Sequence, residues 1–250
     1  MDARPEVARP DDPTAPVRSA VRRLADLTPG ALRAALRADP RLLLPVGALS
    51  VRWPHLPVAA DTIVVDHLAD DLSARCGVLR APTVSYGATA PAPAAALGAT
   101  SVRKKTLHRL LNDLLAEWEA HGVDEFVLLT VHRYDPHLEA LATVITARAR
   151  VRVVDALAVN CADLLDAPEG DARGDEVATS LLLHLAPDLV RADERAANRT
   201  GRDQDARDLR NIAPHAAPGA ATAEKGARLY ARILGRIAER VLGTPAGNMA

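Results

Sequence analysis

Four side chains in this sequence are of types that do chemistry and stand where a folded chain could use them. His132 ends the apolar run EFVLLTV, 125–131. Asp61 opens a segment with helical spacing, just after the loop VGALSVRWPHLPVAA. Glu176 lies in the stretch RGDEVATSLLLHLAPDLV, and Ser50 sits inside the first loop. An imidazole exchanges protons near neutral pH, and carboxylates can take protons or orient the group that does. A serine becomes a nucleophile only with a base in hydrogen-bond reach and donors for the oxyanion. His132 would serve Ser50 if the two loops meet, although no GxSxG elbow is present. Each residue also has a plainer reading. His132 could be a hydrogen-bonded structural histidine, Asp61 a carboxylate favoured at a helix N-terminus, and Glu176 a solvated helix residue.

The elements that must carry these residues alternate. Residues 24–38 have helical spacing, with Thr28-Pro29 suited to an N-cap and first-turn proline. Residues 41–46 read as a short apolar strand. A helix over 61–75 stops at Gly77. Residues 78–81 read as a strand and 87–100 as a long loop. An amphipathic helix spans 106–121 and ends at Gly122. Residues 125–131 form a buried strand, 136–148 a helix and 151–155 another strand. A closing helix over 220–242 could support a neighbouring subunit. Strand–helix alternation predicts an α/β protein, an αβα sandwich around a mostly parallel sheet. In such sheets the loops at the carboxyl ends of the strands carry the site, which places the loops after Val46 and Val131 together.

Bulk composition excludes several classes. The 250 residues suit a single domain with a sizeable core. The net charge of -1 gives no basic field for nucleic acid, and 2% aromatic residues leave few platforms for base stacking. No apolar run approaches the ~20 residues that span a bilayer, and the polar, proline-rich start has no signal-peptide core. Cys76 and Cys161 lack any CxxC spacing and read as buried reduced thiols of a cytoplasmic protein. The expected organisation is a disordered tail over 1–20, a single domain over 21–243 with a polar excursion at 191–217, and a C-terminal tail over 244–250.

Taken in order, several stretches resemble the creatininase family, the creatinine amidohydrolases and relatives that open cyclic amides. LPVGALSVRWPHLPVAADT is similar to the family's first motif. EFVLLTVHRYD falls where the family has a buried strand followed by a histidine-glycine-glycine-asparagine segment. RGDEVATSLLLHLAPDLV is similar to its histidine-alanine-glycine-glutamate segment, and SYGAT and ATAEKG also fall in order. The resemblance covers roughly 25–240. It implies an αβα sandwich, an oligomer that is commonly a hexamer, and chemistry by one or two divalent metals that polarise an amide carbonyl and activate water.

Position by position, Asp61, His132 and Glu176 match the family's polar residues. Ser50 stands where the family has a glutamate ligand, Arg52 and Arg173 where it has histidines, and Ala178 where it has a second glutamate. Arg133 and Tyr134 fill glycine positions, and Asp135 replaces an asparagine. A catalytic zinc needs about three protein ligands plus water. Only Asp61 and His132 match, so no metal and no cofactor is expected unless His55, Asp135 or His137 is recruited into a rebuilt site.

The substituted positions point to a different pocket. Arg52, Arg133 and Arg173 would supply fixed positive charge where a cation once sat, with Arg52 pairing with Asp61. Trp53, His55, Tyr134 and Asp135 would join them around a small anionic substrate. Codon bias is the competing explanation for the arginines, which supply 28 of the 31 basic residues. The leading expectation is an enzyme of specialised metabolism acting on an amide, lactam or cyclic amidine C–N bond. It would hydrolyse the bond or form it by condensation, without the dinuclear metal centre. His132, Asp61 and Glu176 would handle protons. The alternatives are a non-catalytic binding or structural subunit and a metal-dependent amidohydrolase with a rebuilt site. No nucleic acid or membrane partner is expected.

Overall fold

The structure, a computed structural model, describes residues 20–51, 53–91, 97–166, 170–191 and 220–243, without side chains at 170–173. The expected tails, most of the 191–217 excursion, Arg52 and the Arg173 side chain therefore lie outside the described residues.

Four strands form one parallel sheet in the order β2-β1-β3-β4. They are β1 (Arg41–Pro45), β2 (Leu79–Arg80), β3 (Glu125–Thr130) and β4 (Arg150–Asp155). Among the described residues six α-helices accompany them: α1 (Pro29–Ala38), α2 (Ala60–Cys76), α3 (Lys104–Ala120), α4 (Asp135–Ala142), α5 (Gly170–Leu185) and α6 (Ala223–Ile237). The strand side chains alternate between the two faces, as a two-residue period requires. Leu43, Val127 and Leu129 face a core built with α2, α5 and α6. Leu42, Leu44, Phe126 and Leu128 face the opposite core, built with α1, α3 and α4. Both faces are covered, which is why RLLLP and EFVLLT read as continuous apolar runs. The αβα sandwich is as the sequence implies.

Several boundaries have local causes. Thr28 accepts a hydrogen bond from the Ala31 N–H and Pro29 is the first helical residue, so α1 starts there and a 3-10 turn holds Leu24–Asp26. Gly77 and Gly122 take positive φ angles of 69° and 101° at the ends of α2 and α3, the left-handed turn that glycine adopts without strain.

The expectation of a helix over 136–148 is corrected: α4 ends at Ala142. Two α3 side chains take the amides that would have continued it. The Glu119 carboxylate accepts from the N–H groups of Ala147, Arg148 and Ala149, and Asn112 accepts from Ile145. Three amide donors hold the Glu119 carboxyl below its usual range.

The closing helix is α6, followed by a π turn over Ala238–Leu242. Its apolar face, Leu229, Tyr230, Ile233 and Ile237, is buried within this chain. Gly226 lets it approach α5. A Cβ there would lie 1.9 Å from the Ser180 carbonyl oxygen.

The strand order reverses between β1 and β3, because the chain leaves β1 for β2 on one side and returns to β3 on the other. Ligands of open parallel sheets bind outside the strand ends at such a reversal. The loop after β1 and the residues after β3 flank it.

Candidate functional site

The loop leaving β1 is held closely against the start of α2. The Thr62 hydroxyl donates to the Ala48 carbonyl at 3.1 Å, and the Ser50 N–H donates to Val58 at 2.9 Å. Only glycine fits at position 47, since a Cβ would stand 2.4 Å from Thr62 Oγ1 and 2.8 Å from Thr62 Cα. This crossing delivers Asp61 in the first turn of α2, where the positive end of the helix dipole favours a carboxylate.

From the other strand, Thr130 ends β3 and His132 follows two residues later. The two loops meet. His132 Nδ1 lies 2.7 Å from Asp61 Oδ2, and both side chains are buried. Asp61 can only accept when ionised, so Nδ1 carries the proton and Nε2 keeps its lone pair. Nε2 is buried and has no hydrogen-bond partner among the described residues. A carboxylate that fixes the tautomer of an imidazole, whose far nitrogen is left with its lone pair, is the arrangement of an oriented base.

A second imidazole stands beside the first. The His137 ring is 5.0 Å from that of His132, nearly perpendicular at 85°. Burial, then the neighbouring His132, push the His137 pKa down to about 4 against the opposing pull of Asp61. It is therefore a neutral ring at physiological pH.

The other expected site residues lie in different places. Ser50 is half-buried in the loop, and no hydrogen bond joins its side chain to His132 among the described residues. Trp53 is packed in the core with α2, α5 and α6. The Tyr134 ring is 6.4 Å from that of His132. Arg133 is exposed and its guanidinium pairs with Asp155 at 2.9 Å, so it is already neutralised at the end of β4. Asp135 is exposed at the start of α4.

His55 and Glu176 belong to two buried polar clusters on α5. His55 Nε2 is 2.9 Å from Thr179 Oγ1, whose hydroxyl donates to Asp175 Oδ1 at 2.9 Å. The same Asp175 oxygen is 3.5 Å from His55 Nε2. This cluster fastens the β1–α2 loop to α5. Glu176 is fully buried, not a solvated helix residue. It accepts from the Asp166 N–H and pairs with Lys225, which also meets Asp166 at 2.9 Å and the Ala220 carbonyl at 2.7 Å. Burial opposes the charge on Lys225, but the hydrogen bonds and fields of Glu176 and Asp166 outweigh it and raise its pKa. No hydrogen bond links Glu176 to Asp61 or His132 among the described residues. Thr130, Thr179, Asp175 and Lys225 are not singled out by the sequence, although each lies within a stretch that carries the resemblance.

The donors present do not fit the metal centre that the resemblance implies. Ser50 and Arg52 stand at two of the ligand positions. No cluster of three or more His, Cys, Asp or Glu that could hold an ion occurs among the described residues.

Comparison with known proteins shows the family and the fold. The family model described as Creatininase, creatinine amidohydrolase, matches residues 25–241. A mycofactocin precursor peptide peptidase of Mycolicibacterium smegmatis is 27% identical over 220 residues, covering 81% of this chain and 84% of its own length. The protein of the same name from Mycobacterium ulcerans is 29% identical over 168 residues, covering 63% of each. A crystal structure of creatinine amidohydrolase superposes with a TM-score of 0.69 at 24% identity, over 88% of this chain and 95% of that one. No helix among the described residues is long and apolar enough to cross a membrane.

Proposed function

Since the chain belongs to the creatininase family, and is thereby an amidohydrolase-like enzyme of C–N bonds, we propose that it cleaves an amide or lactam with the Asp61–His132 pair as its base. The observation that carries this reading is the 2.7 Å bond from His132 Nδ1 to Asp61, with Nε2 buried and carrying its lone pair. In the forward direction Nε2 takes a proton from a water. The water oxygen bonds to the amide carbon, and the C–N bond then breaks as Nε2–H gives the proton to the leaving nitrogen. Asp61 keeps the ring in one tautomer and offsets the transient imidazolium charge. Products are a carboxylate and an amine, and the same steps run backwards form the bond. No step passes through a metal, because the residues at the ligand positions do not supply one.

The substrate class is a small anionic amide or lactam, peptide-derived amides included. Two things support it: the arginines at motif positions 52 and 173, and the peptidase names of the curated relatives. Tyr134, with its ring 6.4 Å from that of His132, is the side chain that this reading sets against the substrate. Arg133 pairs with Asp155, so this reading rests its anion contacts on the other two arginines. A homo-oligomer belongs to the same reading, and light scattering showing a monomer at micromolar concentration would remove it.

The test is an amine-release assay in chelator-treated buffer. Its substrates are creatinine, a mycofactocin precursor peptide, N-acyl amino acids and lactam carboxylic acids. Turnover of at least one, lost in H132A, is expected. Turnover that appears only after zinc or manganese is added would overturn the metal-free mechanism. No turnover of any substrate under either condition would favour a binding subunit.

A further inference from the structure

His137 has surroundings that give it a task other than metal ligation. Its ring is fully buried on α4 and stands edge-on to His132 at 5.0 Å. Thr130 ties the two residues together. The His132 backbone N–H donates to Thr130 Oγ1 at 3.1 Å, and the same oxygen lies 3.1 Å from His137 Nε2. The Thr130 hydroxyl has two lone pairs and one hydrogen, so it accepts from the amide and also bonds His137 Nε2, in the direction that the ring's tautomer sets. His137 Nδ1 is buried with no hydrogen-bond partner among the described residues. On that side Gly87 closes the space: a Cβ there would stand 2.7 Å from His137 Nδ1 and 2.6 Å from the Gly47 carbonyl oxygen. The ring is wedged between the β1 loop, the 87 segment and His132.

Such a wedge matters because Asp61 holds His132 at one atom only. An imidazole held by one hydrogen bond can still rock within the tolerance of that bond, and a misplacement of about 1 Å costs a reacting group on the order of 100-fold in rate. A second contact on the ring removes that freedom. The charged or titratable groups facing His137 are His132, from the end of β3, and Asp61, from α2.

We propose that Thr130 and His137 are a positioning pair, which holds the His132 ring so that Nδ1 stays on Asp61 and Nε2 keeps its aim. The inference rests on the reading of His132 as the base. Side-chain nitrogen NMR of the full chain tests both parts. Wild type should show one set of His132 ring signals with the proton on Nδ1. T130V replaces the hydroxyl by a methyl of similar size, and H137F keeps a ring without its nitrogens. Both should broaden or split the His132 signals while thermal unfolding remains cooperative, and T130S should restore the single set. On any substrate that turns over, T130V should lower kcat about 10-fold to 100-fold with KM little changed. Folded T130V and H137F with His132 signals identical to wild type would overturn the positioning pair alone. A wild-type His132 protonated at Nε2 would instead overturn the base reading, whatever the variants do.

Discussion

Asp61 and His132 are 71 positions apart, and neither is informative without the other. Asp61→Asn keeps the shape but lets the imidazole take the wrong tautomer. It should cut kcat by roughly 10³-fold to 10⁴-fold at unchanged fold, measured by steady-state kinetics beside circular dichroism. His137 makes a second residue-level prediction. Its folded pKa of about 4 lies below the unfolded value of 6.5. The stability tied to its neutral form is complete above pH 6.5 and is lost as pH falls towards 4, since the unfolded chain binds the proton first. The loss approaches about 3 kcal/mol. Urea midpoints at pH 7 and pH 4.5 should diverge more in wild type than in H137F, and equal divergence would refute the assignment. Motif position made Asp61 and His132 legible in the sequence. The pairing of Arg133 with Asp155 was not legible, because the two are brought together only by the register that sets Thr130 opposite Asp155. The burial of Trp53 was not legible either, because a lone aromatic gives no sign of which side of a loop it packs.

Strands and most helices were legible because both sheet faces are covered and the helices carry apolar stripes. Leu107, Leu111 and Leu115 on α3 are one such stripe. The false extension of α4 shows where that signal fails, since side chains of another helix took its amides. At this scale the contact of α5 with α6 is the most exposed to a single change. Gly226→Ala would set a methyl 1.9 Å from the Ser180 carbonyl oxygen, a backbone atom that cannot rotate away. A loss of about 1–3 kcal/mol or more is expected, read as a lowered Tm. Lys225→Met would take the Lys225 cation away from the buried Glu176 and should cost about 3–5 kcal/mol. Replacing both partners by apolar residues should cost less than that single change, by denaturant titration.

For the whole molecule, the composition of the pocket is a statement about what the protein carries when purified. Elemental analysis should find no stoichiometric zinc or manganese, and chelation should leave folding and activity unchanged. About one tightly held divalent ion per chain, lost in H132A or D61A, would return the protein to the metal-dependent mechanism. The long way the chain takes to complete its core has a separate consequence. Residues 192–219 separate α5 from α6 in sequence, yet among the described residues α6 is fastened to the rest by Gly226 on Ser180, Lys225 on Glu176, Tyr230 on Asp71 at 2.8 Å, Arg232 on Asp163, and the turn after it on Arg41 and Arg152. A single cut of the backbone within 192–219 should therefore yield two polypeptides that elute together and separate only in denaturant. The α6 fragment, made alone, should then act as a ligand of the remainder.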